Sequence, residues 1–599
     1  MYKSLSLIGL ALLAACTTPS PPGAWRYSLP EQPEAATGQT DKPGWSYTRQ
    51  AVAAANPLAT DAGHQILRAG GSALDAAIAV QLVLGLVEPQ SSGIGGGAFL
   101  MHFDGQRVQA FDGREVAPAS AQPDMLMAQG KPLPFDEAVL SGHAVGVPGA
   151  VRMLELAHRQ HGQLPWAQLF EPAIALAEQG FRVSPRLHAL LQAEMALRQD
   201  PLAARYFYNA QGQAWPVGHL LRNPEYAHVL RRLAREGSRA LHEGPVAQAI
   251  VERVAKPPRP ARMSLQDLRA YQPREREALC FVQPTPARSV RICGFPPPSS
   301  GQIAIGQMLG MLTHTAAQGP QWANGLPSAD FVHRYTEAAR LAFADRAQYL
   351  GDPDFVTPPA GDWRSLLAPD YLRARSALIG AQSMKQAAPG QPGGARSAWA
   401  PMPAQTEYGT SHVSVVDARG RAVAMTTTIE AGFGARRMVS TDPSRPGGFL
   451  LNNQLTDFSF VPSDAQGRPI ANRVEPGKRP RSSMSPTLVF DASNGQLLMS
   501  GGSPGGALII HYTAKLLTAT LQGGMNAQQA INLPNFGSLN GPTLLEAGRF
   551  PPALVQALQA RGHEVREMDM TSGLQAIERS PGGWFGGADP RREGVVLGD

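Results

Sequence analysis

Cysteine is scarce in this chain, three in 599 residues (Cys16, Cys280 and Cys293), too few for a disulfide-framed scaffold. Long apolar runs are missing as well. The longest near the N-terminus, Leu5 to Leu13, is too short to span a bilayer. The formal charge is +6, yet no concentrated basic face exists: the cations are mostly scattered arginines, the densest local group being Lys478, Arg479 and Arg481. That excludes a nucleic-acid footprint, so no nucleic-acid partner is expected. Metal-ligand spacing is lacking among the histidines between Gly149 and Ala270, where His158 and His161 have no third ligand nearby. What remains is 43% hydrophobic and 17% charged, the composition of an ordinary globular protein, and its length exceeds what one core organises. Two large, interlocked parts are expected.

Residues 1–15 have the layout of a secretory signal, with Lys3 in the n-region, Leu5 to Leu13 as the apolar core and Ala14-Ala15 before the cut. Leu13-Ala14-Ala15-Cys16 resembles a bacterial lipobox, whose cysteine is lipidated and becomes the mature N-terminus. Thr17 rather than Asp follows it, which by the same resemblance favours the outer membrane, facing the periplasm. Thr17 to Gly44 is rich in Pro, Thr, Ser and Gly, so residues 16–50 read as a lipid-anchored tether, with structure beginning near Ala51. Cys280 and Cys293 flank a polar, proline-containing stretch that could be a hairpin. In an oxidising compartment a disulfide between them is expected, worth roughly 3 kcal/mol in the chain-entropy model.

From Ala51 the chain alternates between strand and helix patterns. AVAAA is strand-like, and Asp61 to Ala69 and Ser72 to Val87 are helical on either side of Gly70-Gly71. Gly93, Gly95 and Ala98 satisfy a dinucleotide-binding fingerprint in letters only, since a helix precedes it and a strand follows, the reverse of what a phosphate-binding turn needs. No cofactor is expected. A strand ending near Arg114 follows, then a helical region from Gly149 to about Ala270 and a long helix over 333–352. Residues Ser383 to Gln405 form a low-complexity loop that leads to EYGTSHVSVVD. Two hairpins come next, SHVSVVD with AVAMTTT and TLVF with QLLMS, and then helices. An α+β fold with strands covered by helices is the result.

Thr410 is the candidate nucleophile. A hydroxyl inside a chain has no base of its own, but cutting the Gly409–Thr410 bond would free an α-amine on the same residue. Such an amine titrates near ~7.7 to 8.0, so a useful fraction can accept the hydroxyl proton at ordinary pH.

Four ordered motifs, TSHVSVVD, LLNNQLTDFS (450–459), KRPRSSMSPT (478–487) and GSPGG (502–506), resemble the γ-glutamyltransferase family, and the likeness runs from Ala51 to the end. It implies an N-terminal-nucleophile (Ntn) hydrolase with a four-layer αββα sandwich, made as one chain that cuts itself into two subunits forming a heterodimer. The large part would be 51–409 after the tether and the small catalytic part 410–599. By resemblance Arg114, Ser482 and Ser483 hold the substrate α-carboxylate, while Gln454, Asp457 and Glu430 face its α-ammonium. Gly505 and Gly506 present oxyanion donors, and Thr428 supports the nucleophile. A planar guanidinium suits a carboxylate, and acceptors suit a cation. Many members carry Asn where this chain has Glu430, and the stretch from Phe458 to Arg481, a substrate lid in some, has no Tyr here.

The implied activity is hydrolysis or transfer of γ-glutamyl groups from a small molecule such as glutathione, with no cofactor and no metal. A cephalosporin or glutaryl acylase of the same family is the near alternative, and a non-catalytic periplasmic binding protein with the same fold a remoter one. Gly501 to Gly505 also spells G-x-S-x-G around Ser503, but Pro504 lacks the N–H that such a serine elbow uses for its oxyanion. The envelope expectation is checked by Cys16→Ser, which should abolish lipidation; unchanged membrane association in that variant would remove the lipobox.

Overall fold

The computed structural model describes residues 39–599 apart from 318, 320, 324, 395, 396, 406 and 408, so the signal segment and Cys16 lie outside the described residues. Two seven-stranded antiparallel sheets lie face to face. One runs in the order Trp45–Tyr47, Gly583–Ala588, Gln575–Ser580, Leu497–Gly502, Thr487–Asp491, Ser289–Gly294 and Leu279–Pro284. The other runs Val595–Gly598, Ala51–Ala54, Ser411–Val416, Ala422–Thr428, Gly97–Phe103, Val108–Asp112 and Arg274–Arg276.

Side-chain alternation explains the layers. In SHVSVV, Val413 and Val415 point to the helix side and join Ile78, Leu82 and Val83 in one core, whereas Val416 joins Phe99, Leu488 and Ile577 between the sheets. The covering helix Ala73–Val87 is apolar nearly all round and is capped by Ser72, which accepts the Asp75 N–H while Asp75 returns the bond. Helices Gly301–Thr313 and Ile509–Leu521 cover the opposite sheet, in a core with Ile292, Val489 and Met499. This is the expected four-layer αββα sandwich. Strands from both sides of Thr410 alternate within one sheet, Ala51–Ala54 beside Ser411–Val416 and Gly97–Phe103 beside Ala422–Thr428. A cut before Thr410 would therefore leave the two parts interlocked by sheet hydrogen bonds.

Structure begins earlier than Ala51. Trp45–Tyr47 is an edge strand paired with Trp584–Gly586, and the buried Lys42 ammonium donates to the Arg592 carbonyl at 2.9 Å. The boundary expected at residue 50 is therefore too late, because the folded body already includes these residues. The polarity of the segment as a whole hid the short Trp45/Tyr47 alternation that finds an open sheet edge. Cys280 and Cys293 sit directly opposite in register on neighbouring strands and are joined, with an S–S distance of 2.06 Å.

Phe99 holds the two sheets together. It is fully buried and stacks on Phe295 at 4.0 Å between centroids, each ring coming from a different layer of the sandwich. Phe99→Ala should lower the unfolding free energy by roughly 3 to 5 kcal/mol, measured by denaturant titration; a loss under ~1 kcal/mol would show that this layer repacks freely.

Candidate active site

Thr410 is buried at the entry to the strand Ser411–Val416. Ser411 pairs with Thr427, so continuing the register by one residue places Thr428 opposite Thr410. Thr428 Oγ1 accepts the Glu430 N–H at 2.8 Å and so shapes the turn that leaves the partner strand. Gly409 is held with φ +57°, and a Cβ there would lie 1.7 Å from the Glu430 carbonyl oxygen, so only glycine allows the chain to pass. Thr410 itself sits at φ +150°, a region β-branched residues rarely adopt, with a typical cost of roughly 1 to 3 kcal/mol. Its carbonyl receives Arg592 Nη1 at 3.4 Å.

Gly505 (φ +132°) and Gly506 follow the strand Leu497–Gly502 and lead into the helix Ile509–Leu521. A Cβ on Gly505 would strike the Tyr512 ring at 2.4 Å. Gly409 and Gly505 line one cavity of about 750 Å³ together with Glu407, Tyr512 and Arg592. Gly409, next to the candidate nucleophile, and one of the two glycines expected at the oxyanion thus face the same space. Ser503, centre of the G-x-S-x-G match, is buried, with its hydroxyl engaged by the Gly573 N–H at 3.2 Å and the Pro504 carbonyl at 2.7 Å. His412, the histidine nearest in sequence to Thr410, meets Thr426 at 2.8 Å and Ser414 at 3.2 Å. Burial lowers its pKa to about 3, so it stays neutral.

Arg114 stands just past the strand Val108–Asp112, its N–H held by Asp112 at 2.9 Å. Its Nε donates to the Pro480 carbonyl at 3.1 Å, and Nη2 donates to the Arg481 carbonyl at 2.8 Å and to Asp457 at 2.5 Å. Gln454 donates to the same Asp457 oxygen at 2.7 Å. Arg114, Gln454 and Asp457 therefore form one hydrogen-bonded cluster. Arg114 Nη1, Asp457 Oδ1, Gln454 Oε1 and both carboxyl oxygens of Glu115 are buried with no hydrogen-bond partner among the described residues. Each such group carries a desolvation cost of roughly 1 to 3 kcal/mol. A buried cluster with a spare donor on a cation and spare acceptors beside it suits the two charges of a zwitterion.

The other expected residues fall into separate groups. Ser483 donates to Glu407 at 2.6 Å and receives Arg346 at 2.6 Å, while the Ser482 hydroxyl is turned to its own loop and accepts the Met484 N–H at 3.2 Å. Arg114 reaches this loop through the Pro480 and Arg481 carbonyls rather than through the serine hydroxyls. Glu430 accepts from Asn453 and, at 3.4 Å, from Thr456. Sequence reasoning passed over Glu115, Arg346, Glu407, Arg481 and Arg592. Glu115 adjoins Arg114, and Arg481 and Glu407 lie inside quoted motifs, whereas Arg346 lies in the last turn of the helix Ala329–Tyr349 with no local signal.

Burial pushes the Glu115 carboxyl up to about 8 against the pull of Arg114, so it is protonated near neutrality and leaves Asp457 as the counter-ion of Arg114. Burial also raises Asp457, again against Arg114. His333, Glu337 and His563 form a buried group elsewhere that is already knit by hydrogen bonds. The two imidazoles meet at 2.7 Å, His333 also reaches the Gly380 carbonyl, His563 reaches Thr543, and Glu337 takes Arg340, Ser383 and the Met384 N–H.

The gamma-glutamyltranspeptidase family model matches residues 59–599. The chain belongs to that family. It is 33% identical over 562 residues, 91% of each chain, to a glutathione hydrolase proenzyme of Bacillus subtilis strain 168. To the acylase ACY 1 proenzyme of Pseudomonas sp. strain V22 it is 34% identical, over 93% of this chain and 94% of that one. The solved cephalosporin acylase of Bacillus halodurans superposes with a TM-score of 0.80 at 26% identity, covering 94% of this chain and 98% of the other. Family membership thus embraces both chemistries weighed from the sequence, and the pocket must choose between them.

Because Glu115 holds a proton in the folded state that an ordinary carboxyl of pKa 4.5 has lost, its contribution to stability is fully present below pH 4.5 and declines as pH rises towards about 8. Glu115→Gln should therefore gain stability relative to wild type steadily across that window, read from denaturation midpoints. A constant difference from pH 5 to 8 would show the carboxyl to be ionised throughout.

Proposed function

We propose that this chain is a self-processing γ-glutamyl hydrolase and transferase acting on γ-glutamyl amides such as glutathione, with Thr410 as nucleophile. The observation that carries the choice is the orphaned set on Arg114, Asp457 and Gln454, which offers acceptors to an ammonium as well as donors to a carboxylate. A glutaryl group has no amine and would leave those acceptors unsatisfied.

In the precursor the Thr410 hydroxyl attacks the Gly409 carbonyl carbon, and the peptide bond becomes an ester as the Thr410 nitrogen departs. Water then releases the Gly409 carboxylate and leaves a free Thr410 amine. The unusual backbone at Thr410 supports this site of cleavage, because relief of strain lowers the barrier to breaking the bond. In turnover the amine takes the hydroxyl proton as Oγ bonds to the γ-carbonyl carbon, and the N–H groups of Gly505 and Gly506 receive the developing oxyanion. Losing one such donor typically costs roughly 2.7 to 4 kcal/mol. The leaving amine is protonated as it departs, and the acyl-threonine passes to water or to another amine. Arg114, Asp457 and Gln454 orient the donor, and Thr428 supports the nucleophile from the neighbouring strand. The mature protein is read as a heterodimer of 16–409 and 410–599, anchored through lipid on Cys16 at the periplasmic side of the outer membrane.

Thr410→Ala should stay a single chain and be inactive, while wild type resolves into two pieces, the smaller starting at Thr410. The processed enzyme should prefer a γ-glutamyl anilide over the matching glutaryl anilide by roughly a hundredfold or more in kcat/KM. Equal rates, or a glutaryl preference, would place it with the acylases.

A further inference from the structure

Away from the cluster around Arg114, three side chains of metal-ligating type converge through packing. His333 and Glu337 lie one turn apart on one face of the helix Ala329–Tyr349, and His563 follows the helix Pro552–Ala560, 230 positions after His333. One ligand atom from each lies within 4.8 Å of the others, and all three residues are buried. The outer hydrogen bonds set how the inner atoms face. His333 Nε2 meets the Gly380 carbonyl at 2.8 Å, so the proton of a neutral ring sits there and Nδ1 turns its lone pair to His563 Nε2 at 2.7 Å. His563 Nδ1 meets the Thr543 hydroxyl at 2.7 Å, and that oxygen also accepts Arg340 Nη2 at 2.9 Å. Glu337 Oε1 takes Arg340 Nη1 at 2.8 Å and the Ser383 hydroxyl at 3.0 Å, whereas Oε2 accepts only the Met384 N–H, at 2.8 Å, among the described residues. A carboxylate oxygen offers two lone pairs, so Oε2 keeps one to spare.

We propose that His333 Nδ1, His563 Nε2 and Glu337 Oε2 form a structural site for a divalent cation of the zinc type. Two imidazoles and a carboxylate are a zinc donor set, with water in the fourth position. The rings need to part only slightly, since two nitrogens on one tetrahedral zinc stand about 3.3 Å apart, against 2.7 Å here. As the ion enters, the His563 proton shifts from Nε2 to Nδ1 and Thr543 changes from donor to acceptor, so no ring nitrogen is left unpaired. The Gly380 carbonyl and the Thr543 hydroxyl then hold the far nitrogens, as the outer partners of metal-bound histidines do. A cavity of about 560 Å³, lined by Arg340, Asn540, Gly541, Gly562 and His563, gives the ion and its water a path. Two neighbouring cations are already answered, Arg340 by Glu337 at 2.8 Å and Arg561 by Asp330 at 3.2 Å. After a cut before Thr410, His333 and Glu337 belong to the large part and His563 to the small. The ion therefore clips the two subunits together outside their shared sheet, and this bridging role alone rests on the acyl-transfer reading above.

Untagged protein stripped with a chelator is to be titrated with zinc against a chromophoric competitor, and with cobalt(II), whose visible spectrum reports four-coordinate ligation. Wild type should take up a single zinc ion per chain, show the cobalt bands, and gain in thermal midpoint as the site fills. Thr543→Val, which removes only an outer partner, should weaken uptake by about tenfold to a hundredfold. His563→Gln, which keeps a donor and an acceptor but no imidazole, should weaken it further and abolish the bands. The exposed His314→Gln should change nothing. The uncut Thr410→Ala precursor should bind zinc as wild type does, so failure of the acyl-transfer reading leaves this result standing. No uptake by wild type, or uptake that His563→Gln and Glu337→Gln leave unaltered, would overturn the site. In processed enzyme, zinc should raise the denaturant concentration at which the two subunits separate, and equal midpoints with and without it would overturn the clip.

Discussion

The pairing of Ser411–Val416 between Ala51–Ala54 and Ala422–Thr428 is the constraint on which the rest of the molecule depends. It buries the strand on both faces, fixes the register that sets Thr410 opposite Thr428, and knits residues from either side of the Gly409–Thr410 bond into one sheet. A covalent cut at that bond removes no ladder hydrogen bond. The heterodimer expected after processing would therefore inherit the precursor's core, and only the segment before Thr410 would be free to leave.

Glycine and buried charge then divide the work around the strand. Gly409 and Gly505 let backbone come close to Glu430 and Tyr512, where any side chain would collide, and both line one cavity. The charges lie to one side. Arg114 is balanced by Asp457, and Arg346 and Arg481 by Glu407, while Glu115 stays neutral because burial outweighs its neighbour. A site this rich in buried guanidinium is stable only when carboxylates answer it.

Glutathione hydrolases and acylases both stand among the relatives, so membership of the family leaves the donor open. Asp457 and Gln454 weigh on the amine side of that choice, because each keeps an acceptor unsatisfied in a buried cluster already supplied with a cation. An acyl group lacking the amine would have to leave both in that state.

The sequence by itself determined the α+β class, the two hairpins after Thr410 and the helices before them. Apolar periodicity and turn chemistry are local, and the motifs carried the family's pattern with them. It misjudged where the folded body starts, because Trp45–Tyr47 is a strand only by virtue of an edge hundreds of residues away. Only the tertiary structure decided that Ser482 turns away while Ser483 faces Glu407, and that Arg346, in the last turn of the helix Ala329–Tyr349, reaches both Glu407 and Ser483. Hydrogen-bond partners and desolvation depend on what three-dimensional packing brings within a few ångströms, and spacing along a chain carries no record of it.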